Sequence, residues 1–159
     1  MNGMKKPYAI LIFGAPGSGK TRFGEQFGAR FKCPFLDFGR YGLNYADAAE
    51  ITEQVALCGQ NFVIEGHFDT EKQRNDIRKR LLKLGYHTAL VWVQVDVATI
   101  RQRLVRKHKS AEKAKTAFEE RHEKMKAPAD AENPIVISGK HTFATQLKVV
   151  LAKLSKNQA

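Results

Sequence analysis

From one end of this 159-residue chain to the other, short apolar runs alternate with segments whose apolar residues recur every third or fourth position. The first run, Tyr8–Phe13, reads as a strand. Behind it Phe23, Phe27 and Phe31 recur every fourth residue, the spacing of one buried face on a helix from about Gly19 to Phe31. Pro34–Asp37 is a short second strand. Asp47 then reads as the cap of a helix carrying Ile51, Val55 and Cys58. Asn61–Glu65 is the third strand. Thr70 with Gln73 three residues on forms a capping-box signature. The helix that follows buries Ile77, Leu81 and Leu84 and stops at Gly85, a natural left-handed cap.

His87–Val95 is a fourth strand, apolar almost throughout, which implies burial on both faces. Asp96 caps a helix from Val97 to about Lys107. Residues Ser110–Lys126 carry only a narrow stripe (Ala111, Ala114, Phe118, His122, Met125) on a charged background, the pattern of a lightly docked helix. Pro134–Ser138 is the fifth strand. Phe143, Leu147, Val150, Leu151 and Leu154 mark the last helix, with a frayed tail expected over Ser155–Ala159. Strands alternating with helices of this length predict an α/β domain, a parallel sheet with helices on both faces. The length suits a single domain spanning residues 1–159.

Between the first strand and the first helix lies Gly14-Ala15-Pro16-Gly17-Ser18-Gly19-Lys20-Thr21, which meets G-x-x-x-x-G-K-[ST] at every fixed position. Glycines let successive N–H groups turn inward around a phosphate where a Cβ would obstruct them. The helix start adds free N–H groups and the positive end of its dipole. Lys20 can reach the β- and γ-phosphates of a nucleotide, and the Thr21 hydroxyl suits Mg²⁺. The strand before and the helix after supply the context that this motif requires.

A phosphoryl transferase also needs a metal-holding acid, an acceptor-positioning group and positive charge around the transferred group. Ligands of open parallel sheets bind outside the carboxyl ends of the strands, so those ends are the places to look. Asp37 closes the second strand and can take a proton from an acceptor hydroxyl; the bland alternative is that it caps a turn. Arg40 can grip a substrate phosphate bidentately or stand solvated. Glu65 closes the third strand and can hold the hydration shell of Mg²⁺. His67 is either an acceptor contact or a polar residue flanking a helix. Asp96 is explained by helix capping and is not assigned to metal. Arg103 and Arg106 lie near a strand end, and residues 106–126 hold eight Lys/Arg against four Glu. That stretch is either a basic flap, a lid over about 107–130 that closes on the triphosphate, or a solvated helix face.

The net charge of +11 draws anions without saying which. Two cysteines, Cys33 and Cys58, form neither a disulfide framework nor a zinc pattern. Lys5 and Lys6 precede an apolar run of only six residues that leads into the glycine loop, unlike a secretion signal. No stretch approaches the ~18 apolar residues of a membrane span. A cytoplasmic protein with no membrane partner is expected.

These residues together resemble a known group. The glycine loop, Asp37-x-x-Arg40, Val63-Ile64-Glu65 and Ile100-Arg101-x-Arg103 are similar to the P-loop kinases of the AAA_33, polynucleotide-kinase-like type, close to the small nucleotide kinases. The resemblance covers nearly the whole chain in element order, with the glycine loop its only individually specific motif. It implies a three-layer sandwich around a five-stranded parallel sheet ordered 2-3-1-4-5, with a short basic lid. It implies ATP and Mg²⁺ as cofactors. Asp37 would then be the general base, Arg40 the grip on substrate phosphate, and Arg103 or Arg106 the lid arginine. The ATP base would lie near Gly139-Lys140-His141. Glu65-Gly66-His67 departs from the family's usual Asp followed by a small residue and Thr or Asn.

Three functions are therefore in contention. The first is an ATP-dependent kinase acting on a hydroxyl or phosphate of an anionic acceptor: a nucleoside, nucleotide, nucleic-acid 5′ end or other small molecule. The second is a regulatory protein that hydrolyses ATP, disfavoured by the lack of a second domain to move. The third, a nucleic-acid-binding module, ranks last, because RNA readers expose aromatics beside basic residues and most phenylalanines here have core spacing.

Overall fold

The five strands pair into one parallel sheet of order β2-β3-β1-β4-β5 in a computed structural model that describes residues 5–66 and 68–157. The elements in chain order are β1 (Tyr8–Gly14), α1 (Lys20–Phe31), β2 (Phe35–Asp37), α2 (Tyr45–Ala56) and β3 (Phe62–Glu65). There follow α3 (Glu71–Lys83), β4 (His87–Gln94), α4 (Val97–His108), α5 (Ala111–Lys124), β5 (Ile135–Ser138) and α6 (Phe143–Lys156). This is the expected three-layer P-loop architecture, in the expected strand order.

Successive strand residues face opposite sides, so a strand covered on both must be apolar throughout. On one side Ile10, Ile12, Val63 and Val91 meet Phe23 and Phe27 of α1 and Val150 of α6. On the other, Leu11, Phe13, Ile64 and Leu90 meet α2 and α3 through Ala48, Ala49, Ile77 and Leu81. Ile100 and Leu104 of α4 pack on Ala114 and Phe118 of α5 in a separate small cluster.

Several expectations need correction. The cap of α2 is Asn44, whose side chain accepts from the Asp47 N–H at 2.9 Å and donates to the Asp47 carboxylate at 2.8 Å. A carboxamide can do both at once, which an Asp at position 47 cannot. The buried face of α2 is Ala48, Thr52 and Ala56, while Ile51 and Cys58 are exposed. Small residues let the helix approach closely, and alanines carry little weight in a hydropathy pattern. Phe31 and Leu84 end their helices beyond the sheet edge, each 39% exposed. In α5 only Ala114 and Phe118 are buried, and His122 stacks on the Phe118 ring instead of entering the core. Helix α6 continues through Lys156, further than the tail expected from Ser155.

The sequence pattern contains no sign of the buried ion pair that ties the segment before β5 to α3. Arg74 Nε and Nη2 donate to the two oxygens of Glu132 at 2.7 and 3.1 Å, with the side chains 0% and 2% exposed. The Arg74 guanidinium also donates to Phe68 O and lies over the Phe13 ring. Burial pushes the Glu132 carboxyl up. The Arg74 hydrogen bonds, the Ala129 N–H and the charges of Arg74 and Arg78 outweigh that and hold it below the usual glutamate range. Because the folded value is lowered, the pair's stabilisation is present above about pH 4.3. It is lost as pH falls through the lowered value. Glu132→Gln strands the Arg74 charge and should cost about 3–5 kcal/mol at neutral pH. Urea unfolding at stepped pH should show the difference from wild type shrinking in acid. A gap unchanged down to the acid end would remove the electrostatic explanation.

Candidate active site

Among the described residues, five of the six α-helices open on a side chain that accepts an N–H of their first turn: Asn44, Thr70, Asp96, Ser110 and Thr142. Helix α1 does not. Its cap position is Gly19, at φ 97°, with no side chain to satisfy the first-turn donors. A non-glycine residue is strained in that left-handed conformation, and a capping side chain would occupy the space an anion needs. The donors are left facing the carboxyl edge of the sheet, as phosphate binding requires.

Strand register brings the acids to the same place. Asp37 and Glu65 are partners across β2 and β3, and Ile12 partners Glu65 across β1. Neighbouring strands are ~4.8 Å apart. Glu65 is buried, and its Oε1 takes both Lys20 Nζ at 3.1 Å and the Thr21 hydroxyl at 3.0 Å. Its second oxygen, Oε2, is buried without a hydrogen-bond partner among the described residues, as is the Ser18 hydroxyl. A carboxylate oxygen and a hydroxyl side by side are hard oxygen donors, the chemistry that suits Mg²⁺. Thr21 and Glu65 therefore fit that ion.

Asp37 Oδ1 accepts the Arg40 N–H at 3.1 Å, so it does shape the turn after β2, and it still lines the crevice. The Arg40 guanidinium sits between Asp37 (3.6 Å) and Glu25 (3.2 Å) and lines the same crevice. Arg103 crosses from α4, donating to Gly17 O and Gly139 O at 3.0 Å each. It braces the glycine loop against the loop after β5. The resulting crevice, about 850 Å³, is lined by Lys20, Thr21, Asp37, Arg40, Glu65, Arg103 and His141, among others.

Two candidates lie elsewhere. Arg106 is exposed and is not among the crevice residues. Lys140 turns its ammonium to Asp96 Oδ2 at 2.5 Å, beside a separate apolar cavity. That ion pair, with the Thr99 N–H and hydroxyl, holds the Asp96 carboxyl well below its ordinary range. Asp96 is thus committed to capping α4. The His67 side chain lies outside the described residues.

Other crevice residues carry no local signal. Arg121 is one cation among many on α5, yet it reaches the crevice and donates to Asp69 Oδ1 at 3.2 Å. Lys126 N–H bonds Asp69 O at 2.7 Å, so the end of α5 is fastened to the loop after β3. Gly139 touches the glycine loop so closely that a Cβ there would lie 1.8 Å from Ser18 O.

No protein-family model matches the chain, and no curated protein matches it in sequence. Solved structures do match in fold. A sugar kinase from Janibacter sp. HTCC2649 aligns with a TM-score of 0.73 at 14% identity, covering 95% of each chain. A gluconokinase from Sinorhizobium meliloti 1021 gives 0.70 at 15% identity, over 96% of this chain and 94% of that one. Kti12 from Chaetomium thermophilum, in complex with ADP-AlF3, gives 0.69 at 12%, over 92% and 97%. At these identities the likeness shows the fold, that of the P-loop kinases. Among the described residues no helix is long and apolar enough to cross a membrane.

Gly139→Ala should displace the glycine loop and lower nucleotide affinity at least tenfold, because the overlap is with main-chain atoms that cannot rotate away. Titration with a fluorescent ATP analogue measures this. Unchanged affinity in a folded variant would mean that the contact with Ser18 does not shape the loop.

Proposed function

We propose that the chain is an ATP-dependent phosphotransferase that moves the γ-phosphoryl group to a hydroxyl or phosphate of an anionic small molecule, nucleotide or nucleic-acid end. The observation carrying this reading is the convergence of Lys20 and Thr21 on the buried Glu65 carboxylate, at an uncapped helix start, with Asp37 beside it. The fold shared with a gluconokinase and a sugar kinase supports a small-molecule acceptor.

In this reading the amides of the glycine loop and of the first turn of α1 hold the triphosphate. Lys20 turns from Glu65 to the β- and γ-phosphates. Thr21 and Glu65 hold Mg²⁺, which when bound neutralises charge on the phosphate oxygens. Asp37 orients the acceptor hydroxyl and takes its proton as the acceptor oxygen bonds to the γ-phosphorus and the bond to the β-phosphate oxygen breaks. ADP leaves. Arg40, Arg121 and Lys107 line the acceptor side and suit an anionic substrate. Arg103 stiffens the loop, and residues 107–130 act as a lid that excludes water. Gly139 and His141 flank the base.

Labelled ATP offered with a panel of nucleosides, nucleotides, sugars and 5′-hydroxyl oligonucleotides tests this. ADP should form only with the acceptor. Asp37→Asn keeps an oxygen for the Arg40 N–H but cannot take the proton, so kcat should fall at least a hundredfold while ATP affinity stays. Lys20→Ala should abolish transfer and, by unpairing a buried acid, also lower stability. ADP formation indifferent to every acceptor would point to a nucleotide hydrolase instead.

A further inference from the structure

The opposite edge of the sheet, where the strands begin and α1, α3 and α6 end, carries seven cations, with Glu53 and Asp76 on its α2–α3 side. Lys5 and Lys6 lead into β1. Arg30 closes α1, with Lys32 just after it. Lys83 closes α3, and Lys153 and Lys156 close α6. All seven are exposed, and none forms an ion pair with a described residue. The entries to β1–β4 and the end of α6 (5–8, 29–34, 57–61, 82–88 and 152–157) contain none of the chain's 16 Asp and Glu residues, while the entry to β5 holds Asp130 and Glu132.

Helix dipoles favour cations at helix C-termini, which accounts for Arg30, Lys83, Lys153 and Lys156. They account equally for Lys32, the C-cap of α1, but not for Lys5 or Lys6. Lys32 holds a left-handed conformation (φ 52°) that glycine or asparagine adopts more readily. Three of the cations line a groove of about 600 Å³, Lys5, Lys6 and Lys32, together with Phe31, Gln60 and Asn61. Phe31, which the four-residue spacing assigns to the core, is 39% exposed here, with the Arg30 guanidinium 5.6 Å from its ring centre.

The Phe31 ring centre also lies 4.5 Å from that of Phe27, and Asn61 Oδ1 accepts the Tyr8 N–H at 2.7 Å. Lysines for phosphates, a part-exposed aromatic ring beside them and the Gln60 amide for base edges are components of a single-strand reader. We propose that this groove binds single-stranded nucleic acid. An anionic membrane fits less well: the exposed Leu57 and Leu84 stand beside Glu53 and Asp76 on the α2–α3 side, where acids would repel it. The seven residues of β1 separate the groove from the glycine loop by ~20 Å. Binding here is therefore independent of the nucleotide crevice and does not rest on the phosphotransferase reading.

Fluorescence anisotropy with a labelled ~12-nucleotide oligo(dT) or oligo(U) strand, from ~50 to ~200 mM salt, tests the assignment. The wild type should bind with affinity that falls as salt rises, and saturating MgATP should not displace the strand. Replacing Lys5, Lys6 and Lys32 together by alanine should weaken binding at least tenfold and flatten the log–log salt slope by about 2, at ~0.7 per phosphate contact. Phe31→Leu keeps an apolar neighbour for Phe27 but loses the stacking face. It should weaken binding about five- to tenfold with the slope unchanged. Circular dichroism confirms folding of each variant. Several results overturn the proposal: no binding by the wild type, a triple-alanine variant that binds as wild type, displacement by MgATP, or equal competition by polyglutamate. So does binding to phosphatidylserine vesicles without binding to oligonucleotides.

Discussion

A carboxylate buried at the end of β3 has to be neutralised, and the groups that neutralise Glu65 are the two residues that open α1. Its side chain is 5% exposed, and Lys20 and Thr21 both reach the same oxygen. An unpaired charge at that depth would be far costlier than one at the surface. The pairing thus locks the helix start against the strand end, while the other oxygen has no hydrogen-bond partner among the described residues. A lysine held in this way is positioned beside the glycine loop before any anion arrives. The low accessibility of the site strengthens whatever electrostatic contact replaces the pair.

The remainder of the structure supports that arrangement from several directions. Arg103 ties the glycine loop to the loop after β5 through two carbonyls, and Gly139 allows the two loops to touch. Asp37 is held by the Arg40 N–H next to Glu65. On the far side of the sheet, Arg74 fixes both Phe68, in the loop that follows β3, and Glu132, in the segment that leads to β5. Asp69 in that same loop takes Arg121 and the Lys126 N–H. The loop after Glu65 and the end of α5 therefore form one connected unit, so a shift in either should be felt by the other.

How much of this the sequence displays depends on the range of the interaction. The strands are legible because both faces of the sheet are covered, so Ile10–Phe13 and Ala89–Val91 read as unbroken apolar runs, while their order follows from the family resemblance alone. The glycine loop is legible because all its requirements are local. Helix α2 is placed but its face is misread, since Ala48 and Ala56 pack as well as larger residues yet score as neutral. Phe31 is misread for the opposite reason: the helical period continues past the point where the sheet has ended. The Arg74–Glu132 pair spans 58 residues and leaves no local pattern. Arg121 is hidden among the other cations of α5, and only its place in the fold separates it from them.

The most direct test is a crystal structure with Mg²⁺ and a non-hydrolysable ATP analogue. The account predicts phosphate oxygens within hydrogen-bonding distance of the amides of residues 17–21. It also predicts that Lys20 Nζ has moved from Glu65 onto the β- and γ-phosphates, with Thr21 and Glu65 left to the cation. Phosphates bound away from the start of α1, or a Lys20–Glu65 pair still closed with nucleotide in place, would contradict it.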